Sequence, residues 1–204
     1  MVGVDNLLLK SVGTVIRDNL SEKTLQKIED RLFEKYGTTI TQSLKDFQKF
    51  DTVLREFFGT GADGLERKVF ESICTFEKTK EVGQHWITIE DNSLTQVILE
   101  AFGDDDKKQI LTALTSEPLI ISEVLERCNL AQTSGYRKVN SLIDDGMLTT
   151  RGQIITDDGK KVNKYASVFE NIKIDIVKNK ITIKVQLNKE SLESSTMIPI
   201  ILNA

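Results

Sequence analysis

The apolar residues of this chain change period partway along it. Up to Ile143 they recur every three to four residues, and beyond Gly146 they alternate. The first spacing lines one side of a helix and the second lines one face of a strand. The expected fold is therefore mainly α with an α+β part: a helical N-terminal module, then a segment of short helices followed by paired strands, and a C-terminal β-hairpin. The first helix reads from "NLLLKSVGTVIRDNL" and the second from "SEKTLQKIEDRLFEKYG". In the second, Ser21 is the N-cap, Leu25, Ile28, Leu32 and Phe33 share a face, and Gly37 stops the helix. "TQSLKDFQKFDTVLREFF" predicts a third helix, with an aromatic stripe through Leu44, Phe47, Phe50, Leu54, Phe57 and Phe58. "ADGLERKVFESICTF" predicts a fourth, carrying Leu65, Val69, Phe70 and Ile73.

Gly59, Gly61 and Gly64 match the G-x-G-x-x-G spacing of dinucleotide sites. That motif cradles a pyrophosphate only where it follows a strand. Here it follows a helical pattern, so it reads as a helix-to-helix turn and no cofactor is expected. Cys74 and Cys128 stand apart, which argues against a disulfide framework, and His85 is the only histidine, which argues against a metal site. The longest apolar runs, such as "MIPIIL", are far shorter than the ~20 residues that cross a bilayer. The first residues lack the pattern of a secretory signal, so a cytoplasmic location and no membrane partner are expected. Nor do acid, base and nucleophile groups converge in the pattern, and an enzyme is not expected.

Net charge is −4, yet its distribution is even: residues 1–103 hold 13 cations and 17 anions, 104–170 hold 9 and 11, and 171–204 hold 5 and 3. Any contact with nucleic acid has to come from a local patch. After Trp86 to Ile89, read as extended, Asp91 caps a helix bearing Leu94, Val97, Ile98, Ala101 and Phe102. "DDD" at 104–106 suits another helix start, and Ile110, Leu111 and Leu114 form its inner side. A short helix follows, "ISEVLERCNL", with Ser122 as its cap and Val124, Leu125 and Cys128 inward. Asn129 to Ala131 make a turn, and a further helix begins with Thr133 as cap. Its inner residues are Val139, Leu142 and Ile143, Gly135 allows a close neighbour, and Gly146 ends it. Gln132, Ser134, Arg137, Lys138 and Ser141 lie off that inner side, and Tyr136 lies at its boundary, so this helix front can reach bases or phosphates of double-stranded DNA.

"MLTTRGQIITDDGKKVNKYASVF" then alternates across Asp158-Gly159, a hairpin signal. Lys160, Lys161 and Lys164 on its second arm and Arg151 on its first would form a positive rim beside the helix. Taken together, "DDDKKQILTALTSEP", "ISEVLERCNLAQTSGYRKVNSLIDDGML" and "DGKKVNKYASVF" resemble the winged-helix domain of ArsR-like transcriptional regulators of the archaeal type, over about a third of the chain. The resemblance implies a DNA-binding homodimer whose recognition helix is the "QTSGYRKV" segment. Gln132, Thr133, Ser134, Tyr136, Arg137 and Lys138 become its DNA-reading set. The metal-sensing branch of that family carries cysteines on this helix; "TSGYRKVN" has none, so metal sensing does not transfer. Gly135 also stands where alanine is more usual. Asp144-Asp145 are expected to point away from DNA, whereas Asp157-Asp158 would oppose phosphates.

Finally, Ile172, Ile174 and Ile176 alternate, as do Ile181, Ile183, Val185 and Leu187, across a Lys178-Asn179 turn. That apolar face needs a cover, from the N-terminal helices, a second subunit or the tail "SSTMIPIILNA". The expected divisions are residues 1–90, a helical module for assembly or for sensing an unknown effector; 91–170, the winged helix; and 171–204, hairpin and tail.

Overall fold

The computed structural model describes residues 3–77, 86–156 and 159–203. His85 and the Asp157-Asp158 pair lie outside them. Helix and strand are mixed, in the order α1 (Gly3–Asn19), α2 (Glu22–Tyr36), α3 (Ile40–Ser43), α4 (Phe47–Phe58), α5 (Gly61–Glu71), β1 (Cys74–Glu77), β2 (Trp86–Ile89), α6 (Asn92–Gly103), α7 (Asp105–Ser116), α8 (Ile121–Arg127), α9 (Gln132–Asp144), β3 (Leu148–Ile155), β4 (Lys161–Ser167), β5 (Phe169–Val177), β6 (Lys180–Leu187), α10 (Lys189–Ser194) and α11 (Ile198–Asn203).

Local signals set many of these boundaries. Ser21 Oγ accepts the Thr24 amide at the start of α2, and Gly37, left-handed at φ 65°, ends it. Thr39 and Gln42 form a reciprocal capping box that starts α3. The predicted third helix is broken: a single 3₁₀ turn, Leu44–Asp46, separates α3 from α4. Leu44, Phe47 and Phe50 still reach the core through this kink, and the Phe47 ring packs on both Phe50 and Phe70 with centroids 5.6 and 5.3 Å away. Phe57 and Phe58, expected in the stripe, are exposed, and so is Phe33, at 68%. Each is the residue that turns off the seam: Ile28 and Leu32 bury one side of α2, and Phe33 stands a further ~100° around the axis. Gly59, at φ 55°, is the turn between α4 and α5, and a helix rather than a strand precedes it.

The predicted fourth helix stops at Glu71, and "CTFE" becomes a strand. Its partner decides this, because β1 finds β2 in antiparallel register, Cys74 opposite Ile89. The two strands then join the C-terminal hairpin in one sheet of order β1-β2-β6-β5, with Ile87 opposite Val185. The hairpin thus extends a sheet begun before residue 90 and does not stand alone. Ile73, Ile87, Ile89, Ile183, Val185 and Leu187 belong to the same buried cluster as the N-terminal helices, and Met197 and Ile198 of the tail are buried in it too.

Helix α1 is the strut through this core. Its Gly3 amide donates to Thr149 Oγ1 (3.3 Å) in β3, its Asn6 amide group to the Ile143 carbonyl (3.2 Å) of α9, and its Ser11 hydroxyl to Asp91 (2.8 Å) at the start of α6. Buried Asp5 receives the Ser195 hydroxyl as well as the amide and hydroxyl of Thr196, tying the tail to α1. No helix of the described residues is long and apolar enough to cross a membrane.

Candidate nucleic-acid interface

Helices α7, α8 and α9 and the β3-β4 hairpin form one unit. Asp104 caps α7 by accepting the amides of Asp106 (3.0 Å) and Lys107 (3.1 Å). Beyond Pro118, Leu119 pairs with Tyr165 of β4 through two backbone bonds of 3.0 and 2.8 Å, adding a third short strand position to the hairpin. Helix α8 begins two residues earlier than a Ser122 cap implies. Ser122 lies inside it, and the Glu123 carboxylate accepts the Ile120 amide (3.0 Å) where a cap was sought in Ser122. Asn129, left-handed at φ 51°, turns the chain, and the Leu130 amide closes the turn on Leu125. The α8–α9 contact requires Gly135, since a Cβ there would stand 2.3 Å from a Leu125 methyl.

At the front of α9 the expected cap moves as well. Ala131 occupies the N-cap position with no side-chain acceptor, and Thr133 falls inside the first turn. First-turn amides of a helix uncapped in this way are donors for an anion. Val139 and Leu142 are buried, Ile143 is half-buried, and Gln132, Thr133, Tyr136 and Arg137 are exposed. Arg137 makes no hydrogen bond or ion pair among the described residues. Asn140, not singled out from the sequence, is exposed too. It lies three and four residues beyond Arg137 and Tyr136, and that spacing alone would have placed it on their side of the helix.

Two expected contributors, Lys138 and Ser141, are bonded to α7, and a third, Ser134, is engaged locally. Lys138 Nζ donates to Asp104 (2.7 and 2.8 Å) and Asp106 (2.7 Å), clamping α9 onto the start of α7. Hydrogen bonds to Asp104 and then Asp106 hold its ammonium above the ordinary lysine range, and the Lys138 bond is the main cause that holds Asp104 below the usual carboxylate range. Ser141 receives Lys107 Nζ (2.9 Å). The Ser134 hydroxyl donates to the Ala131 carbonyl (3.1 Å), the ordinary local bond of a helix-start serine.

The hairpin divides its cations in a similar way. Lys161 lines a cleft of about 520 Å³ between β4, the start of α8 and Tyr136 of α9. Lys164, an odd number of residues further on, projects from the opposite side of the strand and lines a cleft with Glu117, Glu123, Glu126 and Arg127, the last paired with Glu117 at 2.6 Å. Lys160 is exposed at the turn. Arg151 is not on this side: it donates to Asn188 Oδ1 (2.6 Å) and pairs with Glu190 at the α10 end, and burial lowers its pKa. At the far end of α9, Asp144 is exposed and Asp145 lies 3.6 Å from Lys10 of α1.

Cys74 is buried, which pushes its thiol up to about 12, and Cys128 is half-buried; both are free. No group of three His, Cys, Asp or Glu side chains among the described residues is arranged to hold a metal ion. Comparison of the chain with protein-family models, with characterised proteins and with solved structures returned no match.

Proposed function

We propose that the protein is a DNA-binding transcriptional regulator of the cytoplasm in which residues 105–167 act as a winged helix-turn-helix of the ArsR-like kind. The observation that carries the reading is the uncapped front of α9, which exposes Gln132, Thr133, Tyr136 and Arg137, with Tyr136 lining the same cleft as Lys161 of the hairpin. In this reading α9 enters the major groove front first, and Arg137 and Asn140 meet base edges: an arginine suits guanine and an asparagine adenine. First-turn amides and Lys161 hold phosphates. Lys138, Ser141 and Arg151 position the unit and do not touch the duplex. The active species is a dimer that reads a roughly palindromic operator, and the helical module is where an effector would act.

The test is fluorescence anisotropy of the full chain against a pool of genomic duplexes. Affinity should fall as salt rises, because phosphate contacts release counterions. Arg137→Ala should cost about 1–3 kcal/mol of binding at cognate sites. Failure to bind any duplex at about 50 mM salt overturns the reading.

A second reading, a winged-helix scaffold that binds proteins without contacting DNA, is favoured by one observation. Of the six cations expected at the interface, Lys138 and Arg151 are paired internally and Lys164 faces three glutamates. Under that reading the mixed-charge cleft of Glu117, Glu123, Glu126, Arg127 and Lys164 takes a polar segment of a partner protein, and Arg137→Ala changes no duplex binding.

A further inference from the structure

Of the two edge strands of the sheet, β1 and β5, the longer, β5, pairs among the described residues on one side only, with β6. Lys178 and Asn179 are both left-handed, at φ 49° and 63°, and form a two-residue turn closed by Val177 opposite Lys180. The closing pair of such a turn exchanges both backbone bonds, so Val177, Asp175 and Lys173 direct their amides to β6. By the same alternation, Ile172, Ile174 and Ile176 direct theirs outward. Their side chains share the face of Ile183 and Val185, which are buried. Toward the hairpin tip, however, that face is open: Ile174 is 36% exposed, Ile181 40% and Ile176 67%. An edge of unpaired amides bearing exposed isoleucines is a template for another strand.

The strand's own sequence selects that partner. Set β5 antiparallel to a second copy, with the two-fold axis at Ile174. Ile172 then meets the partner's Ile176, and Lys173 meets the partner's Asp175. Each charge faces its opposite, each isoleucine faces an isoleucine, and the outward amides of the two strands are in phase. Moving the axis one residue either way leaves the outward amides in phase but sets lysine against lysine or aspartate against aspartate, so the charges choose the register. Within its own chain Lys173 lies opposite Lys184 and 3.6 Å from Asp175, so the partner's Asp175 adds a second carboxylate to a lysine that faces a like charge.

We propose that two copies of the protein associate through their β5 strands, joining two four-stranded sheets into one of eight. This supplies the interface for the dimer proposed above and rests on that reading for its purpose alone, since association is measured without DNA.

The experiment is sedimentation equilibrium of the full chain, with amide hydrogen exchange on the same samples. The wild type should be a dimer at micromolar concentration, with the Ile172, Ile174 and Ile176 amides protected. Lys173→Glu sets two carboxylate pairs face to face across the axis and should weaken the dimer by about tenfold. Within the chain the same change gives up the 3.6 Å contact with Asp175 but places an acid opposite Lys184, so the chain still folds. Combining it with Asp175→Lys exchanges the charges and should restore the dimer. A wild type that stays monomeric overturns the proposal. So does a dimer whose three isoleucine amides exchange freely, or one indifferent to both variants. A β5-paired dimer that binds no duplex overturns the DNA reading alone, and a monomer that binds duplex overturns this interface alone.

Discussion

Replacing Gly146 by alanine probes how the helical module is joined to the α7–β4 unit. Gly146 follows α9 with φ 75°; its amide bonds to Ile143, and the next amide, of Met147, reaches back to Leu142. This is the Schellman arrangement, with Leu142 and Met147 both fully buried. Any Cβ in the left-handed region costs about 1 kcal/mol. Here it would also stand 2.3 Å from the Leu7 nitrogen and 2.7 Å from the Asn6 carbonyl carbon, backbone atoms that no rotamer change can move. Helix α1 has to withdraw. It loses the Asn6 bond to Ile143, worth about 1 kcal/mol, and uncovers part of Val4 and Leu7, worth about 2 kcal/mol. The total is roughly 4 kcal/mol, at the upper end for a single substitution. Gly152 is the control, because its φ is 86° but nothing lies within 4 Å of a Cβ there. With about 2–4 °C of Tm per kcal/mol for a chain of this size, Gly152→Ala should lower Tm by about 3 °C and Gly146→Ala by about 10 °C or more. Thermal unfolding followed by far-ultraviolet circular dichroism measures both. Equal shifts would refute the claim that the α1 backbone bears on Gly146.

Arg151→Ala should leave duplex affinity unchanged while loosening α10, read as faster amide exchange over residues 189–194; an affinity loss as large as that of Arg137→Ala would return Arg151 to the interface. Glu66 is buried in α5 with Oε1 unpartnered among the described residues, and burial, then Asp51, push its carboxyl up to about 8. Because the folded state keeps a proton that the unfolded chain releases from its ordinary value of 4.5 upward, stability should fall as pH rises from there through about 8. Glu66→Gln should remove that fall. Its urea midpoint should match or approach the wild type near pH 5 and exceed it near pH 9, and equal midpoints at about pH 9 would refute the assignment.

Features governed by neighbours in the chain were legible without the structure. Ser21, Gly37, Asp91 and Gly146 mark helix ends because a cap or a left-handed turn involves residues only a few positions away. The Lys178-Asn179 turn and the buried side of α9 follow from local conformation and period in the same way. Gly135 was read correctly as a point of close approach, since a missing Cβ inside a helix needs a packing reason.

Proximity in sequence did not reveal which charges are already paired within the chain. Lys138 looked like a partner for phosphate because it stands next to Arg137, yet its ammonium is taken by Asp104, 34 residues earlier. Arg151 sits in the hairpin but is held by Asn188, 37 residues later. "CTFE" carried a helical spacing and became a strand because β2 and then β6 offered it a sheet. Period, caps and turns are set by short-range sterics and backbone hydrogen bonding, so the amino-acid order alone determined the succession of helices and most of their buried sides. Which cation is free, which strand gains a neighbour and which isoleucines stay uncovered depend on groups distant in the chain, and only the packed structure decided them.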